Sequence, residues 1–264
     1  MQIVSLVENT SRSGLKTVHG LSLYIETDKH KILFDLGPNN TVFANAKKKN
    51  IDLEQIDTVI ISHGHRDHGG AMKKFLEVNS GAKIYIQEKA FLPHYTKAVL
   101  QLIPIGLNKR LKKNERVVLL NGDFKIDDEL SLFTVEKTDK CYSSANDVLY
   151  ENDHRDTFEH EQNLIITADK TVLVIGCGHT GIVNIMEKAE AYKPSYCIGG
   201  FHLHNPVFNK TVSGKLLKEI AGFLKKQSDT EFYTCHCTGI KAFNYLSSRL
   251  KNLHYFSCGD TIDI

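Results

Sequence analysis

The sequence lacks a long apolar run, an excess of charge of either sign and a compact framework of cysteines. Its 264 residues include 33 basic and 31 acidic side chains, so the net charge is +2. A protein that coats nucleic acid or an acidic membrane carries a larger positive excess, so this balance argues against both partners. No stretch approaches the roughly 18 apolar residues of a membrane helix. We therefore expect a small-molecule partner, with a homo-oligomer allowed.

The first residues and the placement of the cysteines indicate the cellular compartment. The first residues, MQIVSLVENTSRSG, lack a basic start followed by an apolar stretch, which predicts that there is no signal peptide. The six cysteines all lie in the second half without a framework spacing, which favours reduced thiols over disulfides. Together these features predict a cytoplasmic protein. Histidine is the residue in excess, with 13 copies, several of them clustered.

The order of the predicted elements favours a single α/β domain over residues 1–264. Apolar runs such as KILFD and DTVIIS predict strands early in the chain, whereas strands and helices alternate in the last third. The segment around 88–128 is less regular and resembles an insertion. Within and after it we expect a helix over Phe91–Leu102 and a loop over Lys137–Glu161. Helices packed outside two sheets satisfy this pattern, with the functional loops at one edge.

A dense group of potential metal ligands follows the predicted strand DTVIIS. His63, His65, Asp67 and His68 lie within six residues. Neutral imidazole and carboxylate groups are ligands that zinc, iron and manganese accept. His63 and His65 are two residues apart and point the same way on an extended turn, so Asp67 and His68 can face a second ion. The cluster therefore predicts a metal site.

The motif His-x-His-x-Asp-His resembles the signature of the metallo-β-lactamase superfamily. The strand pair that ends in ILFDLG and the loop HGHRDHGG carry this resemblance. The stretches EHEQNLI, IGCGHTGIVNI and YTCHCTG, with VENT and GGFHLH, are similar to one branch, the dihydropterin-ribofuranosylaminobenzene-phosphate synthases and related metal-dependent hydrolases. The resemblance implies a four-layer αββα sandwich with one or two divalent ions at the sheet edges. Zinc is favoured, with manganese or iron as alternatives.

The superfamily pattern implies at least two more histidine ligands from the C-terminal half. His236, after the strand EFYT, matches the last ligand, and His179, after TVLVI, matches the one before it. His160 occupies a place where other members keep their third histidine, so the choice between His160 and His179 is open. Cys177 is a further candidate ligand because many members place an Asp or Cys there. His202 is a candidate substrate contact.

On this basis one ion would be bound by His63, His65 and a third histidine, and the other by Asp67, His68 and His236. A divalent ion lowers the pKa of a bound water toward about 7, which supplies hydroxide at neutral pH. Asp67 is placed to orient or deprotonate this water. We therefore expect a metal-dependent hydrolase acting on a small, anionic or phosphorylated substrate. The same ligands would serve the alternative, a synthase-type transferase that joins a dihydropterin to ribofuranosylaminobenzene phosphate.

Two further patterns concern anions and nucleotides. Gly181, Thr238 and Gly239 precede predicted helices, whose free N–H groups bind anions, and this favours a phosphorylated substrate. The sequence GCGHTG also matches the GxGxxG pattern of NAD-dependent oxidoreductases, but the acidic residue expected about 20 residues later is missing, because Ala191–Lys218 contains no Asp or Glu. The basic run Asn108–Arg116 predicts a solvated surface segment, with an anion-facing lid as the alternative.

Overall fold

The computed structural model of the chain describes residues 1–264, and the backbone groups into two compact units. The first unit comprises Met1–Tyr95, Pro104–Asn121 and Phe256–Ile264, and the second comprises Thr96–Ile103 and Gly122–Tyr255. A seven-stranded sheet forms the centre of each unit. The single-domain organisation expected from the sequence stays a prediction.

Twenty strands and six α-helices make up the regular structure. The first ten strands are β1 (Gln2–Val7), β2 (Ser22–Glu26), β3 (Lys31–Phe34), β4 (Thr58–Ile60), β5 (Lys83–Gln87), β6 (His94–Ala98), β7 (Gln101–Pro104), β8 (Val117–Leu120), β9 (Phe124–Lys125) and β10 (Leu130–Phe133). The other ten are β11 (Leu149–Glu151), β12 (His154–Arg155), β13 (Asn163–Thr167), β14 (Thr171–Val174), β15 (Tyr196–Gly199), β16 (His204–Asn205), β17 (Lys210–Thr211), β18 (Glu231–Thr234), β19 (Leu253–Tyr255) and β20 (Thr261–Asp263). The helices are α1 (Thr41–Lys48), α2 (Arg66–Gly69), α3 (Met72–Val78), α4 (Ile182–Ala189), α5 (Gly214–Leu224) and α6 (Ile240–Ser247). None of these helices has the length and apolarity needed to cross a bilayer.

The sheet of the first unit has the strand order β20-β1-β2-β3-β4-β5-β8. Antiparallel pairs join β20, β1, β2 and β3, and parallel pairs join β3, β4, β5 and β8. The strands β3 and β4 are almost entirely apolar and buried, as expected for central parallel strands. Val42 of α1 and Phe75 of α3 belong to the same buried cluster as Leu33 and Val59, so the two helices bury their apolar faces in the core of this unit.

The sheet of the second unit repeats this plan with the order β19-β18-β15-β14-β13-β10-β9. Parallel pairs join β14, β15, β18 and β19, and antiparallel pairs join β9, β10, β13 and β14. Ile185 of α4, Leu217 of α5 and Leu246 of α6 lie in one buried cluster with Leu173 and Phe232 of the sheet. In both units the parallel strands therefore end at one edge of a sheet, which is the usual place for functional groups in α/β folds.

Three segments differ from the sequence expectations. The proposed helix over Phe91–Leu102 is wrong, since this stretch contains β6 and the first half of β7. Pro93 has no N–H group and restricts the residue before it to extended conformations, so the chain enters a strand there. The proposed loop over Lys137–Glu161 contains a 3₁₀ turn, Ser144–Val148, and the hairpin of β11 and β12. The last strand, β20, was not expected.

Candidate metal centre

The histidine cluster of the first unit lies directly after β4, between the ends of the parallel strands β3 and β5. His63, His65 and His68 are all buried, with at most 4% of their surface exposed. His65 keeps an extended backbone and α2 begins at Arg66, so the loop changes direction between the second and third histidines. A Cβ atom on Gly64 would lie 2.6 Å from the carbonyl oxygen of Ala90, which explains why glycine separates the first two histidines.

The three rings face one another at short range. The Nε2 atom of His63 lies 3.1 Å from Nδ1 of His65, and the ring centroids of His63 and His68 are 4.1 Å apart. Two nitrogens this close cannot both carry a hydrogen. Two ligands about 2.0–2.1 Å from one tetrahedral ion are themselves about 3.3 Å apart. The spacing of His63 and His65 therefore fits two ligands that share one ion.

A buried carboxylate, Asp35, sets the orientation of two of these rings. Asp35 follows β3, and its Oδ2 accepts hydrogen bonds from Nδ1 of His68 at 2.6 Å and from Oγ of Ser62 at 2.7 Å. Because the hydroxyl hydrogen of Ser62 goes to Asp35, its oxygen accepts the Nδ1 hydrogen of His63 at 2.8 Å. Both His63 and His68 then carry their hydrogen on Nδ1, so Nε2 is the ring atom of each that could bind a metal. Sequence reasoning missed Asp35, although a charged residue after the apolar strand KILF was a usable signal.

Asp67 differs from the histidines in its surroundings. Its side chain is 25% exposed, and Oδ2 lies 3.3 Å from Nε2 of His19 and 3.8 Å from Nε2 of His68. The carboxylate is therefore close to the ligand atom of His68 while remaining in contact with solvent. This position suits a residue that can share an ion with His68 or exchange a proton with water.

In the second unit the candidate residues follow three neighbouring parallel strands. Cys177 and His179 come after β14, His202 after β15 and His236 after β18. All four are buried. The possible ligand atoms of Cys177, His179 and His202 lie within 4.8 Å of one another, and so do those of Cys177, His236 and Cys237. Cys177 therefore takes part in both groups, and Cys237 is a neighbour that sequence reasoning did not place in the site.

The ring of His179 has a defined tautomer. The side-chain amide of Asn146 donates to the carbonyl oxygen of His179 at 2.9 Å, so its oxygen must accept the Nδ1 hydrogen of the same residue, also at 2.9 Å. The lone pair is then on Nε2, as a metal ligand requires. Phe158 stacks on the ring with centroids 4.5 Å apart and an interplanar angle of 2°. Asn146 and Phe158 lie in the segment that was expected to be an unstructured loop, where no sequence signal pointed to them.

A carboxylate holds the turn that carries His179. Glu161 is fully buried and accepts hydrogen bonds from the backbone N–H groups of His179 at 2.7 Å and Thr180 at 2.8 Å, and from the hydroxyl of Thr180 at 2.7 Å. Burial raises the pKa of Glu161, and these hydrogen bonds partly oppose that rise. Glu161, which lies in the stretch EHEQNLI, thus fixes the backbone of the GCGHTG turn.

His160 has a different partner from His179. Its Nε2 lies 3.1 Å from Oδ2 of Asp156, and both side chains are fully buried. The carboxylate accepts the Nε2 hydrogen, so Nδ1 is the ring atom that would bind a metal. Each histidine thus has a tautomer compatible with ligation, and the assignment of His179 over His160 remains a proposal.

Two histidines of this unit have a strained backbone. His202 has a φ of 46° and His236 a φ of 51°. Residues other than glycine adopt this left-handed region of the backbone at a cost of about 1–3 kcal/mol. His236 opens the 3₁₀ turn that precedes α6, and the ring of His202 lies 4.0 Å from that of His179. Strain of this kind concentrates at functional sites, which supports a role for both residues.

The proposed anion-binding groups are already hydrogen-bonded within the chain. The N–H groups of Gly181, Thr238 and Gly239 donate to the carbonyl oxygens of Gly178, Cys235 and His236. The hydroxyl of Thr238 also accepts from the N–H of Phe201 at 2.8 Å. Their assignment as anion donors stays a prediction, with these three N–H groups engaged inside the chain.

The glycines of GCGHTG have a packing role instead of a nucleotide role. A Cβ atom on Gly178 would lie 2.8 Å from the carbonyl oxygen of Gly200, and its φ of 66° also favours glycine. The turn after β14 therefore packs against the backbone that follows β15. Since Gly199 and Gly200 stand where a ribose-binding acid would be needed, the NAD hypothesis remains disfavoured.

The fold and the buried imidazole cluster define an α/β protein with a candidate metal site. Residues 15–142 match the family model of the metallo-beta-lactamase superfamily. A 7,8-dihydropterin-6-methyl-4-(beta-D-ribofuranosyl)-aminobenzene-5'-phosphate synthase from Methanocaldococcus jannaschii is 30% identical over 280 residues, which cover 95% of this chain and 92% of the relative. The chain belongs to the metallo-β-lactamase superfamily, in which metal-dependent hydrolases predominate.

Two other similar proteins span almost the whole chain. An uncharacterized protein of Methanocaldococcus jannaschii is 29% identical over 261 residues, which cover 98% of each sequence. The crystal structure of a metal-dependent hydrolase of the β-lactamase superfamily matches with a TM-score of 0.83 and 24% identity, over 100% of this chain and 99% of that one. These matches confirm the predicted metallo-β-lactamase type of α/β fold.

Proposed function

We propose that this protein is a metal-dependent hydrolase that acts on a small anionic substrate. The observation that carries the proposal is the hydrogen-bonded arrangement around Asp35, in which the Nδ1 hydrogens of the buried His63 and His68 go to Ser62 and Asp35, so that Nε2 is the ring atom of each that can bind a metal. Zinc, iron and manganese are the ions that such a donor set accepts, and we favour zinc.

The proposed ligands are those that the sequence singles out. His63, His65 and His179 would hold one ion. The second ion would be held by Asp67, His68 and His236, with Cys177 as an additional donor. The tautomers of His63, His68 and His179 all fit this role, since each carries its hydrogen on Nδ1. The soft sulfur of Cys177 favours zinc over manganese in the second position.

Each chain residue then has a defined task in hydrolysis. When bound, the ions supply Lewis acidity that polarises the substrate and acidifies water near neutral pH. Asp67 accepts a proton from the attacking water and passes it to solvent, with which its side chain is in contact. Asp35 and Asn146 keep the rings of His68 and His179 from rotating, and Phe158 covers one face of His179.

A synthase-type transferase is the second candidate. It is favoured by the relative from Methanocaldococcus jannaschii that carries this name, with 30% identity over 95% of this chain. The reaction would join a dihydropterin that carries a leaving group to ribofuranosylaminobenzene phosphate, with loss of the leaving group and of a proton as the new bond forms. The same metal ligands would serve, because polarisation of the substrate is needed in both reactions. The difference is that a hydrolase incorporates water into its product, whereas the transferase does not.

The first experiment measures metal. Protein purified without chelator is analysed for zinc, iron and manganese, and we expect about one to two ions per chain. Less than about 0.2 equivalents, with no gain on adding any of the three metals, would contradict the proposal. The control is His154→Ala, which removes an exposed histidine of β12 and should leave the metal content unchanged.

The second experiment identifies the reaction. The metal-loaded protein is assayed with phosphodiesters, phosphomonoesters, thioesters, lactones and the dihydropterin–phosphate pair in isotopically labelled water. Label in the product supports the hydrolase. Turnover of the pair alone, without label in the joined product, supports the synthase and refutes the hydrolase. We propose a small molecule as the partner in either case, with neither nucleic acid nor membrane as the main partner.

A further inference from the structure

A groove in the first unit has basic walls and an apolar floor. It encloses about 950 Å³ and lies between two 3₁₀ turns, Glu88–Phe91 and Lys109–Lys113. Phe91 and Leu92 line it, and Phe91 is only 7% exposed. This volume lies within the range of small-molecule sites, which combine an apolar surface with a few charged groups.

The charge of the groove is strongly one-sided. Five basic side chains line it, namely Lys89, Lys109, Arg110, Lys112 and Lys113, against the single acid Glu88. Glu88 accepts a hydrogen bond from Nζ of Lys112 at 2.8 Å, and this bond holds the pKa of Glu88 below its usual value. The carboxylate is therefore ionised and already neutralised by one lysine, so Lys109, Arg110 and Lys113 are the cations that remain for a ligand. The whole chain has a net charge of only +2, which makes this concentration a local feature.

The walls of the groove are continuous with the loops around the histidine cluster of the same unit. Ala90, in the first 3₁₀ turn, lies against Gly64, where an added Cβ would be 2.6 Å from the Ala90 carbonyl oxygen. Gly106, which precedes the second turn, forms a β-bridge with His65, and the N–H of Arg66 donates to the Ile105 carbonyl oxygen. Both walls therefore begin at the metal-binding loop.

We propose that this groove binds a small amphiphilic organic anion, with its apolar body on Phe91 and Leu92 and its anionic head at Arg110 and the lysines. A guanidinium pairs with phosphate, sulfonate or carboxylate through two parallel hydrogen bonds, and the lysines add point charges. We assign the groove as the recognition site for the part of the substrate that lies away from the reacting bond, and this assignment rests on the proposed function. Binding of an amphiphilic anion in the groove does not depend on the proposed function. The apolar floor and the enclosed volume favour such a ligand over inorganic phosphate or a nucleic acid backbone.

The test uses anilinonaphthalene sulfonate, an aromatic anion whose fluorescence rises in apolar surroundings. The metal-loaded protein, the groove variant Arg110→Gln/Lys113→Gln and the control variant Lys47→Gln/Lys73→Gln are titrated with this probe. Lys47 and Lys73 are exposed residues of α1 and α3, so the control removes the same charge elsewhere in the unit. We expect the groove variant to bind about fivefold to tenfold more weakly, since two exposed ionic contacts are lost, and the control to match the wild type.

Competition separates the possible ligands. Octyl phosphate should displace the probe at a concentration about tenfold lower than inorganic phosphate, because only the former reaches the apolar floor. Equal binding by the groove variant and the control would overturn the proposal. Equal potency of the two phosphates, or stronger displacement by a single-stranded oligonucleotide, would also overturn it, in favour of a plain anion site or a nucleic acid surface. A protein that binds the probe in the groove but holds no metal would retain the groove proposal and refute the hydrolase.

Discussion

The two units offer candidate metal ligands at the same kind of place but from very different sequence spacings. In the first unit, three imidazoles and one carboxylate come from a single loop after β4. In the second unit the donors follow β14, β15 and β18, and 59 positions separate Cys177 from His236. Both sets depend on parallel strands whose carboxyl ends meet at one edge of a sheet. A local motif is therefore visible in the sequence, whereas a dispersed set becomes visible only once the strand order is known.

The units also differ in what holds their rings. A buried carboxylate, Asp35, accepts from His68 directly and from His63 through Ser62, whereas an amide, Asn146, accepts from His179. A hydrogen bond to a carboxylate is stronger than one to an amide and makes the ligand nitrogen more basic. The first unit should thus contribute more to metal affinity than the second.

The largest expected effect is the loss of a ligand from the first unit. His63→Ala should lower metal affinity by at least about 100-fold, since even indirect partners of a ligand contribute 10-fold to 100-fold. Competition with a chromophoric chelator measures this. His154→Ala is the control for loss of a histidine, and wild-type affinity in His63→Ala would remove His63 from the proposed ligand set.

The next largest effect is expected for a histidine of the second unit. Substitution of His179 or His160 tests which of the two is the third histidine ligand. His179→Ala should also lower metal affinity by about 100-fold, whereas His160→Ala should cost about tenfold, as expected for a residue outside the ligand set. The same chelator titration compares them. If His160→Ala shows the greater loss, the third histidine ligand comes from EHEQNLI and the assignment of His179 is wrong.

The residues that orient the rings should have intermediate effects. Asp35→Asn should lower metal affinity by about 10-fold to 100-fold, and Asn146→Ala by about tenfold or less, because the carboxylate orients two rings and the amide one. Thermal unfolding of both variants checks that they remain folded. If Asn146→Ala lowers metal affinity as much as Asp35→Asn or more, the expectation that the first unit contributes more to metal affinity is wrong.

The smallest expected effects concern the packing of the two loops. Gly64→Ala and Gly178→Ala should each lower the free energy of unfolding by about 1–3 kcal/mol, since the added methyl group would contact a backbone carbonyl oxygen. Gly178 has the additional cost of a positive φ and should lie at the upper end. Gly81→Ala, with nothing within 4 Å of the added atom, should stay within about 0.5 kcal/mol. Denaturant unfolding measures all three, and a neutral Gly64→Ala would show that the first loop is loosely packed.

The sequence predicted those elements whose residue pattern is decided locally. The predicted strands KILFD and EFYT agree with the observed strands Lys31–Phe34 and Glu231–Thr234, because apolar β-formers run between polar turns. The helix over Phe91–Leu102 was wrong because its apolar spacing resembles a helix, while Pro93 and the pairing of β6 with its neighbours favour strands. Such pairing is a long-range property that no single window of sequence contains.

In the candidate site, too, the sequence predicted only what is decided by a short local pattern. The loop with His63 needed only its own six residues and the apolar strand before it. Asn146 and Phe158 could not be found, because both lie in a polar segment without periodicity, and only the packing of that segment against His179 gives them a role. The basic run was correctly noted, but its relation to Phe91 and Leu92 required the structure.

The positive φ angles of His202 and His236 affect how the protein can evolve higher thermostability. Each of these residues holds its backbone in a conformation that a glycine would adopt freely, so each leaves the protein less heat-resistant than its fold would allow. Selection for thermostability alone would therefore favour replacement of the very residues that face the site. A lineage that keeps both histidines at high temperature must gain its stability elsewhere, for example by better-packed helices or shorter surface loops.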